Sequence, residues 1–313
     1  MKILVIQSPH YDFNAATLIQ GLHNCIENGA PHELMCAERS NYAELEGFYS
    51  HYESNENVIK KFAISADLII LCSNNNVKEY LAFDTGRDDI IYMDGEDTHP
   101  YKKDPNNFAL YFKREMRLNL DHPNNVWPFP FACEDRYFLP FRFDDKKFSV
   151  TCMFGPHDDT KPWRSEIQTC LEEAKIPDSV IGSFYGGDQA VTIDTGGRDN
   201  SHYYDILTRS KISVDAHGAY ECNSARYWES LANGCVLLTR RNLIEMPYPY
   251  VDTEDMYEFE TNSELLALID LLLNDDQRRT KMAESAYRHT KANHTTRARA
   301  EYLFYVAELE GLL

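Results

Sequence analysis

Short apolar runs alternate with amphipathic stretches along most of this 313-residue chain. The runs at 3–6 and 66–72 have the length of buried strands, and each is followed by a predicted helix. Strands that alternate with helices form βαβ units, in which successive strands pair in parallel. The pattern therefore predicts an α/β protein with parallel sheets flanked by helices.

A change in composition divides the chain into two such regions. Residues 126–147 are rich in proline and aromatic side chains without strand or helix periodicity, and a new strand begins at 148. At about 150 residues per domain, the chain has room for two domains. We predict two Rossmann-like, doubly wound domains that face a cleft. Their predicted limits are 1–140 for the first domain and 141–295 for the second, with a C-terminal helix at 296–313 that can pack back on the first.

The charge of the chain argues against some classes of partner. Asp and Glu number 50 against 31 Lys and Arg, which gives a net charge of −19. Such a field repels nucleic acid and anionic membrane surfaces, but a pocket for a small anion needs only a few cations. Because there is no long apolar run and no signal peptide pattern, we expect a cytoplasmic protein without a membrane span. The sequence does not indicate an oligomeric state.

Neither the cysteines nor the histidines are spaced like metal ligands. The eight cysteines include no CxxC pair, and several lie inside apolar runs. We therefore expect reduced, buried thiols rather than a disulfide framework. The eleven histidines show no ligand spacing either, so we predict no metal site.

The segment 215–239 carries the strongest functional signal. It predicts a strand, a loop, a helix at 223–233 with Asn223 or Ser224 as N-cap, and a second strand after Gly234. A helix that follows a parallel strand has free N–H groups at the carboxyl edge of the sheet, where they can hold a phosphate. Arg226, on the first turn, can clamp the same anion with its guanidinium group.

The same segment resembles the donor-site signature of GT-B-fold glycosyltransferases. Glu221 and Glu229 are separated by seven residues, and Leu-Ala, a glycine and an apolar strand follow. Residues 148–300 resemble, in particular, bacterial CgeB-like proteins of the "glycosyl transferases group 1" kind. Further matching motifs are Phe154-Gly155, Arg164, the Tyr-x-x-x-Leu of Tyr203 and Leu207, the Arg-x-x-Glu of Arg226 and Glu229, and His294-Thr295 with Arg297.

The resemblance implies transfer of a hexose from a nucleotide-diphosphate sugar, with a UDP-sugar favoured, to a hydroxyl of a sugar or another acceptor. It implies a donor site in the second domain, no metal, and no cofactor besides this co-substrate. Glu229 would hold the ribose hydroxyls, and Glu221 would lie near the sugar. The polar residues between the two glutamates depart from the glycine-rich pattern of retaining enzymes, which leaves inversion or retention open. The predicted donor-binding residues are Gly155, Lys161, Arg164, His217, Asn223, Ser224 and Glu229, and the predicted catalytic residues are His10, Glu221 and Arg226.

The first domain is expected to bind the acceptor. His10 follows the first strand, and a histidine there can deprotonate a hydroxyl because its pKa lies near neutral pH. Asp94, Glu96 and Asp97 follow the predicted strand at 89–93, where they can bind acceptor hydroxyls or supply the base. An ordinary loop histidine and an ordinary acidic turn are the alternative interpretations.

Three other functions are compatible with the sequence. A GT-B-like protein can bind a nucleotide or a glycan without turnover, and a nucleotide-sugar epimerase can use the same two-domain cleft. Glycosylation of a DNA base is less favoured, because the net charge opposes DNA binding. A basic strip formed by Lys102-Lys103 and Lys113-Arg114 keeps this last function among the alternatives.

Overall fold

The structure is a computed structural model that describes residues 1–7, 13–37, 52–73, 80–154, 161–183 and 201–313. The chain divides into two compact units. The first unit consists of Met1–Glu134, Ile244–Pro247 and His294–Leu313, and the second of Asp135–Leu243 and Tyr248–Asn293. Each unit is built on its own sheet.

The first unit contains a seven-stranded sheet within the described residues. Its strands are β1 (Lys2–Ile6), β2 (Glu33–Ala37), β3 (Tyr52–Glu53), β4 (Leu68–Ser73), β5 (Ile90–Asp94), β6 (Leu110–Lys113) and β7 (Val126–Pro128), and its first helices are α1 (Phe13–Glu27), α2 (Glu56–Ser65) and α3 (Tyr80–Phe83). The strand order is β3-β2-β1-β4-β5-β6-β7, and each neighbouring pair is parallel.

The core of the first unit lies on both faces of this sheet. Ile3 and Val5 of β1 belong to the apolar cluster that contains Leu18 of α1. Leu4 and Ile6, which alternate with them, belong to the cluster on the α2 side. A strand that is covered on both faces is apolar at every position, which is why the 3–6 run is continuous.

The second unit contains a five-stranded parallel sheet within the described residues. Its strands are β8 (Phe148–Phe154), β9 (Val180–Ser183), β10 (Ser210–Asp215), β11 (Val236–Arg240) and β12 (Tyr257–Phe259), and its helices are α4 (Pro162–Ala174), α5 (Ser201–Thr208), α6 (Ala225–Ala232), α7 (Asn262–Asn274) and α8 (Asp276–Asn293). The strand order is β12-β11-β10-β8-β9. The predicted α/β class with two parallel sheets is confirmed.

The last helix, α9 (Thr296–Leu309), packs against α1 in the first unit. Gly21 of α1 permits the close approach, because a Cβ atom added there would lie 2.1 Å from the carbonyl oxygen of Thr296. Arg299 of α9 is fully buried and donates a hydrogen bond from Nη2 to the carbonyl oxygen of Phe131, at 3.1 Å. The polar groups of this helix are thus tied into the same unit.

The predicted crossover at 126–147 differs from the structure. Its first three residues form β7, an edge strand that pairs with β6, with Pro128 opposite Lys113. Proline is tolerated on an edge strand because one side of that strand has no ladder to complete. The strands β2, β3 and β12 were not predicted.

All eight cysteines are free thiols; seven are buried and Cys170 is partly exposed. Burial raises the pKa of the Cys36 thiol to about 12. It raises the pKa of the Cys235 thiol to about 11. Of the helices in the described ranges, none is both long and apolar enough to cross a membrane.

Candidate functional site

The sheet of the second unit has its topological switch point between β8 and β10. From β8 the chain forms β9 on one side, and it then crosses to β10 on the other side, beyond which lie β11 and β12. Ligands of open parallel sheets bind outside the carboxyl ends of the strands at such a point. The two strands end here at Phe154 and Asp215, and α4 and α6 are the helices that follow them among the described residues.

Five residues from these elements form what we call the switch-point cluster: Phe154, Arg164, Asp215, Ser224 and Arg226. Asp215 is its centre and is 0% exposed. Its carboxylate accepts hydrogen bonds from the Ser224 hydroxyl at 2.8 and 2.9 Å, and from Nη1 of Arg226 at 3.0 Å. The last residue of β10 thereby fixes both the start of α6 and the guanidinium group on its first turn.

Both arginines of the cluster lie over the ring of Phe154. The Cζ atoms of Arg164 and Arg226 lie 5.5 and 5.4 Å from its centroid. Cations over an aromatic face are attracted by the ring quadrupole. Arg164 also donates from Nε to the carbonyl oxygen of His217, at 3.2 Å, and Nε1 of Trp163 donates to the same oxygen, at 3.2 Å. The start of α4 is therefore joined to the loop that follows β10.

The switch-point cluster contains more positive than negative charge. Arg164 and Arg226 are both at least nine-tenths buried; Arg226 pairs with Asp215 at 3.0 Å, and Arg164 donates to the carbonyl oxygen of His217. Burial alone would lower the pKa of Arg226, but Tyr203, Asp215 and Glu229 raise it above its ordinary value. The arginine consequently keeps its charge. Two charged guanidinium groups at the carboxyl edge of the sheet can bind an anion there.

Glu229 lies on α6, one turn after Arg226, and is buried. Its Oε2 accepts a hydrogen bond from the Tyr203 hydroxyl at 2.5 Å, and its Oε1 accepts one from the Tyr204 hydroxyl at 3.3 Å. Burial and the nearby Glu229 carboxylate raise the pKa of Tyr203 well above its usual value, so the phenol remains a donor. Glu229 is therefore a buried carboxylate held by two phenolic donors from α5.

The loop between β10 and α6 contains two consecutive residues in left-handed backbone conformation. Tyr220 has φ 55° and Glu221 has φ 62°. The loop is closed by hydrogen bonds from the Gly218 N–H to the Cys222 carbonyl oxygen at 2.6 Å and from the Cys222 N–H to the Ala219 carbonyl oxygen at 3.1 Å. Each such residue other than glycine costs about 1–3 kcal/mol, and strain of this kind concentrates at ligand-binding sites.

Other predicted donor residues surround this loop. His217 is buried, with its ring centroid 6.5 Å from that of Trp163. Asn223 is buried and donates from Nδ2 to Oδ1 of Asn242, at 3.1 Å, so it joins the start of α6 to the residues after β11. Lys161 occupies the N-cap position of α4 without a capping side-chain bond. The predicted N-cap position of α6 is occupied by Ser224, whose hydroxyl bonds Asp215 instead of the helix.

The structure thus brings Lys161, Arg164, His217, Glu221, Asn223, Ser224, Arg226 and Glu229 to one edge of the second unit. Gly155 and His10 lie outside the described residues. Sequence reasoning missed Asp215 and the tyrosine partners of Glu229. Asp215 could have been identified from the sequence, because it ends a buried strand just before a predicted phosphate-binding helix. The motif that contains Tyr203 did not indicate its contact with Glu229, because that contact depends on how α5 and α6 pack.

The acidic residues after β5 have structural partners in the first unit. Asp94 is fully buried, and its carboxylate accepts hydrogen bonds from the Tyr111 hydroxyl, Nζ of Lys113 and the backbone N–H groups of Glu96 and Lys102. Lys113 is itself 1% exposed. A carboxylate that is enclosed and accepts four donors orders the turn and offers no oxygen to an acceptor molecule, which corrects the expectation for Asp94.

Glu96 and Asp97 are more accessible than Asp94. Glu96 pairs with Lys102 at 2.9 Å, and both side chains are partly exposed. Asp97 is more than half exposed and pairs with Arg114, whose guanidinium lies 4.5 Å from the centroid of the Phe131 ring. Within the described part of the chain, no group of three or more His, Cys, Asp or Glu side chains is placed to hold a metal ion.

Residues 164–304 match a family model described as glycosyl transferase-like. The search of curated proteins gives no match.

Solved structures share the fold over the whole chain. HepE from Anabaena in complex with UDP-glucose has a TM-score of 0.64 at 12% identity, with 100% of both chains covered. A glycosyltransferase from Rickettsia africae has a TM-score of 0.64 at 12% identity, with 99% of this chain and 98% of that chain covered. An alpha-glucosyltransferase in complex with UDP has a TM-score of 0.65 at 10% identity, with 98% and 100% covered. The chain has the GT-B fold, and its predicted resemblance to GT-B glycosyltransferases is confirmed.

Proposed function

We propose that this GT-B glycosyltransferase transfers a hexose from a UDP-sugar to an acceptor hydroxyl, without a metal ion, and binds the donor at the switch-point cluster of the second unit. The observation that carries the proposal is the pair of buried guanidinium groups over the ring of Phe154, at the point where open parallel sheets bind ligands. Arg164, Asp215, Ser224 and Arg226 lie within the part of the chain that matches the glycosyl transferase-like model, and Phe154 lies shortly before it.

The diphosphate of the donor is the anion that the cluster fits. Arg164 and Arg226 supply the positive charge, and the Ser224 side chain accepts no hydrogen bond from the first turn of α6. The N–H groups of that turn can therefore bond a phosphate oxygen. When the glycosidic bond breaks, negative charge collects on the leaving diphosphate. Fixed cations and dipoles that face this charge stabilise the transition state by several kcal/mol.

Glu229 is proposed to bind the ribose. A carboxylate accepts hydrogen bonds from two vicinal hydroxyls, and one of its present donors, Tyr204, is held at the long distance of 3.3 Å. Exchange of this bond for a ribose hydroxyl leaves the shorter bond from Tyr203 in place to orient the carboxylate. Glu221, in the strained loop, is proposed to lie by the sugar.

The acceptor is proposed to bind to the first unit. His10 is the proposed base, and Glu96 and Asp97 are the proposed contacts with acceptor hydroxyls. A sugar or another small acceptor is favoured over DNA by the net charge of −19. An alpha-glucosyltransferase of similar fold has been solved with UDP and DNA, so a DNA acceptor remains the alternative to include in assays.

A thermal-shift series tests the donor class. We expect UDP and UDP-glucose to raise the melting temperature in the presence of EDTA as well as of Mg²⁺, with little effect of GDP or ADP. A ligand at a hundredfold excess over Kd stabilises the folded state by about 2.7 kcal/mol. Glu229→Gln and Arg226→Gln should reduce the shift, while Glu308→Gln, an exposed carboxylate on α9, should not.

Turnover is tested by release of UDP from UDP-sugars, with and without pooled sugar acceptors. Product that depends on Glu229 and persists in EDTA supports the proposed transfer. Absence of any nucleotide-dependent shift contradicts it. Binding without product over long incubation identifies a non-catalytic nucleotide-binding protein, and an isomerised UDP-sugar without acceptor identifies an epimerase.

A further inference from the structure

The basic strip that the sequence indicated, Lys102-Lys103 with Lys113-Arg114, lies at the carboxyl edge of the first sheet. Its two parts lie at and beyond the ends of β5 and β6, which pair in parallel. Ligands of open parallel sheets bind at this edge. Residues 94–103 and 113–115 together contain four Lys or Arg and four Asp or Glu, so the strip brings no excess of positive charge to the edge.

Two lysines of the strip each have a carboxylate partner. Lys113, which is 1% exposed, donates a hydrogen bond to Asp94 at 3.0 Å. Nζ of Lys102 lies 2.9 Å from Oε1 of Glu96. A phosphate that approached Lys102 would meet the negative charge of Glu96 beside the same ammonium group, and like charges repel. These pairs therefore oppose the binding of a phosphate.

The arginine of the strip, Arg114, also has several partners. Its guanidinium group pairs with Asp97, and its Nε donates a hydrogen bond to Oε1 of Glu115 at 2.9 Å. The centroid of the Phe131 ring lies 4.5 Å from its Cζ atom, and only 6% of the arginine side chain is exposed. Nucleic acid is held mainly by cations that neutralise its phosphates. Arg114 can neutralise a phosphate only if it gives up these contacts.

The Glu96–Lys102 pair offers what uncharged hydroxyls need for binding. The two side chains are 26% and 35% exposed. A hydroxyl both donates and accepts a hydrogen bond, whereas a carboxylate only accepts and an ammonium group only donates. Two neighbouring hydroxyls of a sugar can therefore bond both members of the pair. Asp94 holds the pair in place, because its carboxylate accepts hydrogen bonds from the backbone N–H groups of both residues.

We propose that Glu96 and Lys102 bind neighbouring hydroxyls of an uncharged glycan acceptor, and that the neutralised strip excludes phosphorylated sugars and nucleic acid as acceptors. This inference rests on the proposed function, since it requires a UDP-sugar as the donor. It makes Lys102 a residue that determines acceptor specificity and Asp94 a positioning residue that acts through the pair.

An acceptor panel tests the charge selectivity. Release of UDP from UDP-glucose is measured with glucose and maltose, with glucose 6-phosphate, and with duplex DNA that contains a hydroxymethylated base. We expect product with the uncharged sugars only. The rate should change less than about twofold between about 50 and 200 mM salt, whereas an acceptor held through six or more phosphates would lose about a thousandfold in affinity.

Substitutions in the pair test the role of Lys102. Lys102→Met and Glu96→Ala should each raise KM for the uncharged acceptor about three- to tenfold, the effect of one lost hydrogen bond, and leave kcat and KM for UDP-glucose unchanged. Lys60→Met is the matched control, because Lys60 forms a similarly exposed ion pair with Asp84 in the same unit, at 3.1 Å. Equal acceptor KM values for Lys102→Met and Lys60→Met would contradict the role of Lys102.

The results separate failure of this inference from failure of the proposed function. If the unmodified protein does not bind UDP, the proposed donor class is wrong and the inference is lost with it. If UDP binds and the hexose is transferred to DNA or to glucose 6-phosphate, the proposed function stands and the charge selectivity is wrong. Binding of UDP without product from uncharged sugars, tested up to their solubility limits, also overturns the inference.

Discussion

At the scale of single residues, the stability of the second unit depends on buried carboxylates that accept hydrogen bonds from buried donors. Asp215 accepts the hydroxyl of Ser224 and the guanidinium of Arg226, and Glu229 accepts the hydroxyls of Tyr203 and Tyr204. Removal of one member of a buried pair leaves the other charge without compensation, and this costs more than the pair itself contributes. These carboxylates are therefore the residues at which small changes should have the largest effects.

Asp215→Asn keeps the volume of the side chain and a carbonyl oxygen for Ser224 but removes the charge that faces Arg226. We expect the free energy of unfolding to fall by about 3 kcal/mol, because a buried guanidinium is left without its partner. UDP binding should weaken as well, because Arg226 loses the group that positions it. Urea unfolding and calorimetric titration measure the two effects.

Asp144→Asn provides the matched control for this substitution. Asp144 also pairs with an arginine, Arg142, but both side chains are about three-quarters exposed. Solvent screens such a pair, so its loss should change neither stability nor binding measurably. Equal effects of the two substitutions would show that Asp215 has no special positioning role.

The sequence predicted Arg226 and Glu229 as a pair on one helix, because the spacing of three residues is local. It did not predict the partners of either side chain. Asp215 lies eleven positions before Arg226 and Tyr203 lies twenty-six before Glu229. Such pairs form only after β10, α5 and α6 have packed, and the sequence pattern of each element alone does not specify that packing.

At the scale of elements, the strands formed by long apolar runs could be predicted from the sequence, whereas short strands without such a run could not. β8 begins at the predicted residue, Phe148, and Gly234 ends α6 with φ +65° as its sequence position indicated. β7 escaped prediction because an edge strand can include proline and needs no continuous apolar run. β3 pairs with β2 over only two residues, so its strand conformation depends on β2 and not on its own residues.

The contact between α1 and α9 provides a test at this scale. Alanine normally stabilises a helix relative to glycine by about 0.5–1 kcal/mol. Gly21→Ala should instead destabilise the protein by about 1–3 kcal/mol, because its Cβ would meet the backbone of Thr296 and push α9 away. The change is measured by urea unfolding followed by circular dichroism.

Glu27→Ala, on the exposed face of the same helix, is the control for helix propensity. Its effect should stay within about 0.5 kcal/mol. A stabilising Gly21→Ala would mean that α9 does not approach α1 as closely as the structure shows.

At the scale of the whole molecule, each described sheet is enclosed by its own helices. The reactivity of the buried cysteines therefore shows whether each unit remains folded. Burial raises the pKa of several thiols, including Cys36 and Cys235, so little thiolate exists at pH 8. Ellman's reagent should modify only Cys170 in the native protein and all eight thiols in urea. Cys170→Ser should abolish the native reaction. Rapid reaction of further thiols without urea would show that a unit opens.

The packing of α9 in the first unit also has a consequence for biosynthesis. Residues 294–309 leave the ribosome only after the whole second unit has been made, yet Arg299 and Leu303 belong to the core of the first. The part of the first unit's core that α9 covers therefore stays exposed while the second unit is synthesised. During translation the first unit is begun before the second and completed after it, and apolar surface exposed in this interval is prone to aggregation.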